Sequence, residues 1–235
     1  MTQNNTYAEY WEVADARLVS YSTPTQDYES QGLTDVQELI AFCARVSNPS
    51  NQFNLETSDK LIRYLTKHQH WSPLEMVSAC MELTTTRDIA RQLLRHRSFS
   101  FQEFSQRYAD PTKDLEFVLR DARLQDTRNR QNSIDSNDEV LESKWKEKQE
   151  QLIEQAKEIY TWAIEHGIAK EQARSVLPEG LTASRLYMNG TLRSWIHYIQ
   201  LRSANGTQRE HIMLAKEIAK AIAEIFPMVE EFVSE

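Results

Sequence analysis

Apolar positions along the chain switch between two spacings, and the switches predict its elements. Residues 16–22 carry a short apolar stretch ended by Thr23-Pro24, which predicts a strand. Thr34, with Gln37 three residues on, fits a capping box. It opens a helix with Val36, Leu39, Ile40, Cys43 and Val46 at helical spacing. A loop is expected at residues 47–51. A second helix follows at 58–69, with Leu61, Ile62 and Leu65 on its apolar face and Ser58 as cap. Pro73 disfavours helical geometry at Ser72, so residues 70–75 form a turn. Residues 76–86 alternate strictly: Val77, Ala79, Met81 and Leu83 face one way, and Ser78, Cys80, Glu82 and Thr84 the other. That is a half-buried strand. Residues 87–97 return to the helical period. Ile89, Ala90, Leu93 and Leu94 make the buried stripe, and Arg87, Arg91 and Arg95 stack four apart. Like charges repel at that spacing, so an anion or carboxylates near the ridge would relieve a cost.

Residues 98–108 read as a loop stopped by Asp110-Pro111, and 115–119 as a strand. Residues 120–137 form the most polar, loop-like stretch. A long helix is expected from 138 to 166, with Leu141, Trp145, Leu152, Ala156, Ile159 and Ala163 on one side and Gly167 after its end. A short helix at 170–176 and a strand at 182–188 follow. Thr191 then caps a helix to Arg202, and a last helix runs from 207 to 226, where Pro227 stops it. Residues 1–15 read as a tail or edge segment. A few strands among long helices make the class α+β.

Composition narrows the function. The formal net charge of −8 argues against broad nucleic-acid binding. No apolar run approaches the roughly 20 residues that span a bilayer. The polar N-terminus lacks the layout of a signal peptide, so a cytoplasmic protein is expected. Cys43 and Cys80 have neither metal nor redox spacing and read as small core residues. The five glycines form no phosphate-binding fingerprint, and no metal site is expected. Against this acidic background stands residues 95–108, RHRSFSFQEFSQRY. Arginine forks, serine hydroxyls and aromatic faces suit a phosphorylated, planar ligand.

The triplet Arg95-His96-Arg97, followed after seven residues by Ser105 and then Arg107, resembles the signature of flavin-dependent thymidylate synthases. Four further elements resemble that family in the same order. They are Ala44-Arg45-Val46-Ser47; His70-x-Ser72-Pro73-x-Glu75; Ala173-Arg174 with Leu177-Pro178; and Leu192-Arg193-Ser194 with His197 and Leu201-Arg202. The resemblance implies a single domain over residues 1–235, built on a mixed β-sheet with long helices. It implies methylation of dUMP to dTMP by methylene-tetrahydrofolate, with FAD reduced by NADPH and no cysteine nucleophile. It also implies a homotetramer with FAD between subunits.

By the same resemblance, Gln92, Arg95, Glu103, Ser105, Gln106, Arg107 and Arg174 hold dUMP, and Arg202 stabilises the ionised uracil. Ser47, Ser72, Glu75, Arg95, His96, Arg97, Glu103, Thr191, Arg193 and His197 contact FAD, and His70 lies near flavin and folate. His166 and His211 match no element and read as surface or packing residues. Trp145, Trp162 and Trp195 read as core or interface. A nucleophilic serine needs a base and an orienting group, and none is evident for Ser105, which reads as a phosphate or positioning ligand. Gln102, Gln106 and Thr191 depart from the residues common in the family, and Gln106 is expected to crowd the nucleotide loop. Two other readings are a catalytically inactive nucleotide-binding protein and an RNA-binding basic face at residues 87–107. The intact Arg95, Arg107, Arg174 and Arg202 weigh against the first, and the net charge against the second.

Overall fold

The computed structural model describes residues 7–234. Its strands are β1 (Ala8–Glu9), β2 (Asp15–Tyr21), β3 (Ser78–Thr86), β4 (Ser100–Glu103), β5 (Val118–Leu119), β6 (Leu124–Gln125), β7 (Ser133–Ile134) and β8 (Ala183–Thr191). Its helices are α1 (Tyr10–Val13), α2 (Gln26–Glu29), α3 (Val36–Ala44), α4 (Ser58–Lys67), α5 (Arg87–Leu93), α6 (Pro111–Asp114), α7 (Glu139–Glu165), α8 (Lys170–Ala173), α9 (Leu192–Ser203) and α10 (Arg209–Ala223). The class is α+β, as the spacing predicts.

The main sheet has the order β2-β3-β8-β4 and is antiparallel throughout. Parallel pairing is confined to the short β1–β5 ladder, so the mixing lies between sheets rather than within the main one. The central pair runs in register from Ser78 opposite Thr191 to Thr86 opposite Ala183. The alternation of β3 puts Ala79, Met81 and Leu83 into the core. Leu186 and Met188 join them from β8, and α9 and α10 cover that face with Trp195, Ile199, Leu214, Ile218 and Ile222. Trp195 is fully buried and donates its ring N–H to the Ala79 carbonyl at 3.1 Å, which satisfies its one polar atom.

Several expectations shift. Asp35, not Thr34, caps α3, and its box partner is Glu38; Thr34 also donates to the Glu38 carboxylate. Thr57 precedes α4, and Ser58 is its buried first residue rather than its cap. The expected loop at 98–108 contains β4, because its backbone groups pair with the free edge of β8. Of the tail or edge segment expected over residues 1–15, residues 1–6 lie outside the described residues. Beyond them, Ala8–Glu9 forms an edge ladder, and Tyr10 is buried with its hydroxyl donating to the Glu210 carbonyl at 3.0 Å.

The long helix α7 buries Ala156 and Ala163 as expected but turns Ile153 and Tyr160 inward in place of Leu152 and Ile159. Ile153, Tyr160 and Ala163 are buried with Phe117, Leu119, Leu177 and Leu181 in a second core, and Ala156 is buried as well. Leu141, Trp145, Leu152 and Ile159 are exposed, as is Trp162. Cys43 and Cys80 are free and half-buried. Among the described residues no helix is long and apolar enough to cross a membrane.

The polar stretch at 120–137 holds only the small β6–β7 ladder, but it is pinned to the body. Arg120 lies 4.6 Å above the Tyr10 ring and reaches Asp88 at 2.9 Å and Glu210 at 3.4 Å, while Arg123 also bonds Glu210. Glu210 is buried, so these arginines supply the countercharge that its burial demands. They hold its pKa below the usual carboxylate range although burial pushes the other way.

Candidate active site

The arginine ridge of α5 meets carboxylates that relieve its repulsion. Arg87 is buried, and its guanidinium is 3.4 Å from Glu103 on β4 and 3.9 Å from Glu179. Arg91 lies 3.1 Å from Glu103 and 3.4 Å from Glu179. Glu103 also accepts from Ser184 at 2.9 Å, so both its oxygens are engaged. Burial lowers the Arg87 pKa, and Glu103 works against that shift.

Arg87, Arg91, Gln106, Arg174 and Glu179 line a cavity of about 410 Å³. Arg174 makes no ion pair among the described residues, whereas Arg107 reaches Glu171 at 3.6 Å. Gln106 is buried, and its Nε2 finds no hydrogen-bond partner among the described residues. A buried donor without a partner is costly, so this cavity favours an occupant that accepts. Ser105 Oγ accepts the Arg107 amide at 3.3 Å, and no base hydrogen-bonds it among the described residues.

A second cluster lies where the other side of α5 meets α9 and α10. Arg202 is half-buried and donates its Nε–H to His96 Nε2 at 2.9 Å. That bond requires His96 to be neutral with a bare Nε2. Burial first, and the Arg202 charge second, push its pKa down to about 4. The His96 ring stands edge-on to Tyr198, with centroids 5.0 Å apart. Gln92 belongs to this cluster and bonds Gln208 at 2.8 Å and His211 at 3.1 Å.

A third group faces solvent around the start of α9. Arg193 pairs with Glu75, and the Trp71 ring meets His197 edge-on at 4.6 Å. Burial and then Arg193 lower the His197 pKa. Thr191 caps α9 by accepting the Ser194 amide at 3.3 Å. Ser47, Ser72, His70, Arg95 and Arg97 are exposed. The backbone of His70 closes α4 by donating to the Leu65 carbonyl at 2.8 Å, which leaves its ring outward. The expected site residues therefore fall into three bonded groups, around Arg87, Arg202 and Arg193.

The family model described as thymidylate synthase complementing protein matches residues 30–228. The chain belongs to that family. A probable flavin-dependent thymidylate synthase of Paramecium bursaria Chlorella virus 1 is 48% identical over 214 residues, spanning 91% of this chain and 96% of the relative. The flavin-dependent thymidylate synthase of Synechocystis is 45% identical over 215 residues, spanning 92% and 97%. Among solved structures, a UMP/dUMP methylase from Streptomyces cacaoi bound with 5-Br dUMP matches with a TM-score of 0.77 at 27% identity. The match covers 96% of this chain and 95% of that one.

This member of the thymidylate synthase complementing protein family also places side chains at the site that motif reasoning passed over. Glu179 and Ser184 serve the arginine ridge. Their signal was the ridge itself, which favoured an anion or carboxylates without naming them. Of the surface and packing readings, His211 takes the second: it is fully buried and bonded to both Gln92 and Tyr198. Its position four residues before Ala215, on the apolar face of α10, was the available sign. His166 is a surface residue stacked on Trp162 at 4.3 Å.

Proposed function

We propose that the chain is a flavin-dependent thymidylate synthase acting as one unit over residues 1–235. It converts dUMP, methylene-tetrahydrofolate, NADPH and a proton to dTMP, tetrahydrofolate and NADP⁺. The uracil C5–H bond breaks, a C5–carbon bond forms, and the two electrons from NADPH complete the methyl group. The reading rests above all on Arg202, a half-buried arginine oriented by a neutral histidine and unpaired with any carboxylate among the described residues. Its full charge is available to a ligand.

In this reading Arg202 favours the ionised uracil, as a cation lowers the pKa of a neighbouring acid. Arg107 and Arg174 bind the phosphate, with Ser105 and Gln106 offering further hydrogen bonds. Gln92 and Arg95 complete the nucleotide site. Glu103 acts there by fixing Arg87 and Arg91, to which its oxygens are committed. The third group fits FAD. Arg97 and Arg193 suit a diphosphate, Thr191, Ser72 and Ser47 offer hydroxyls, and Glu75 and His197 offer polar contacts beside the Trp71 ring. FAD supplies hydride transfer when bound. His96 serves this site by holding Arg202, and His70 lies outward where folate would approach. Assembly as a homotetramer is part of the proposal, since copies placed against one another bring separated groups into one site.

The test is dTMP formation by the yellow purified protein supplied with dUMP, methylene-tetrahydrofolate and NADPH. Formation of dTMP that requires all three supports the reading. A colourless protein that retains RNA and forms no dTMP sinks it.

A further inference from the structure

The exposed side of α7 is apolar along most of its length. Leu141, Trp145, Leu152, Ile159 and Trp162 are between 39% and 54% exposed. They are not scattered. Trp145, Leu152 and Ile159 stand at intervals of one heptad, and Leu141 and Trp162 fall on the interleaved position, which Lys148 and Gln155 complete. Alternating steps of four and three residues keep them all on one stripe, the spacing of a helix-pairing seam. The stripe runs for about 30 Å of helix. Single exposed apolar residues are ordinary, but a contiguous apolar stripe marks an interaction surface. The N-terminal segment lies against another side of the helix. Tyr7 bonds Glu154 and lies under Lys157, and Glu9 pairs with Lys146, three positions that the helical period turns away from the stripe.

Charge says what covers the stripe. On this side of α7 the first half carries Lys144 and Lys148, and the second half carries Glu158 and Glu165. None of the four joins an ion pair among the described residues, whereas Lys146 and Lys157, on other sides of the helix, do. A second copy of the helix laid parallel would set lysines against lysines and glutamates against glutamates. Laid antiparallel, it sets each lysine half against a glutamate half and apolar stripe against apolar stripe. The surface is thus complementary to itself under a two-fold rotation, as an isologous interface requires.

We propose that α7 pairs with α7 of a second copy of this chain, antiparallel about a two-fold axis near Leu152, with the two exposed tryptophans packed in the seam. The lysine half of each helix then faces the glutamate half of the other. This deepens the assembly proposed above by naming one of its interfaces, and it does not depend on the chemistry proposed for the site.

The experiment is sedimentation of the purified full chain, with circular dichroism to show that each variant is folded. Leu152→Glu with Ile159→Glu puts carboxylates into the seam. It is expected to raise the dissociation constant of this interface by about 100-fold or more, so that the particle mass falls to about half. Lys144→Glu with Lys148→Glu, and Glu158→Lys with Glu165→Lys, should each weaken association by about 10-fold. All four charge changes together should restore it, because the exchange returns opposite charges only where the helix meets its own copy antiparallel. These surface changes also serve if the seam variant does not fold. Wild-type particle mass in a folded Leu152→Glu, Ile159→Glu chain overturns this proposal alone. So does a fourfold exchange that associates no better than either pair, since another occupant then covers the stripe. A monomeric wild-type chain overturns this proposal together with the proposed assembly. Failure of the catalytic reading shows separately, as the absence of dTMP formation from a chain that still associates.

Discussion

Two glutamates serve the arginine ridge and differ in what their loss would do. The side chain of Glu103 is 15% exposed and that of Glu179 is 57% exposed. Removing Glu103 strands the buried Arg87 beside Arg91, and breaking a buried pair costs about 3 kcal/mol or more. Glu103→Ala should therefore lower the thermal midpoint by several degrees, whereas Glu179→Ala should change stability by less than about 1 kcal/mol. Equal melting curves for the two variants would refute the assigned roles. At this scale the motif residues were legible because their spacing is fixed in the chain. Glu103 is an example, and in the structure it is bonded to Arg87 and Arg91. His211 was not legible, since a lone histidine on an apolar stripe has the same sequence appearance whether it packs or bonds. Only the fold brings it to Gln92, 119 positions away.

At the scale of elements, the segment after α5 is held by packing that the sequence does not display. A Cβ added at Gly190 would lie 2.4 Å from the Phe99 ring, far inside van der Waals contact. Phe99 also meets Trp195 edge-on at 4.6 Å, so its ring has little room to yield. Gly190→Ala should cost about 1–3 kcal/mol and displace the segment between His96 and β4. Denaturant unfolding checks this, and an unchanged midpoint would show that Phe99 moves freely. Strand β3 was legible from its alternation, because one of its faces is buried and the other is not. Strand β4 was hidden, since its stabilisation comes from the edge of β8 and not from its own residues. The inward side of α7 was misread in part, for a related reason. Both Leu152 and Ile153 sit on a helical period, and the partners on the second core decide between them.

For the whole molecule, one short helix organises the proposed chemistry. Helix α5 turns Arg87 and Arg91 toward the 410 Å³ cavity, and Gln92 toward Gln208 and His211. The Arg193–Glu75 pair lies at the start of α9. The family and the α+β class were readable from ordered motifs and periodicity. The three-way division of the site was not, because distances between helices are absent from a linear pattern. The central claim is that activation of uracil rests on the Arg202 charge and not on a serine nucleophile. Release of tritium from dUMP labelled at C5 reports breaking of that bond directly. With saturating substrates, Arg202→Ala should lower release by about 100-fold or more, whereas Ser105→Ala should mainly raise the KM for dUMP by about 5-fold. An Arg202→Ala enzyme with near wild-type release, or a Ser105→Ala enzyme that binds dUMP yet releases none, would contradict the account.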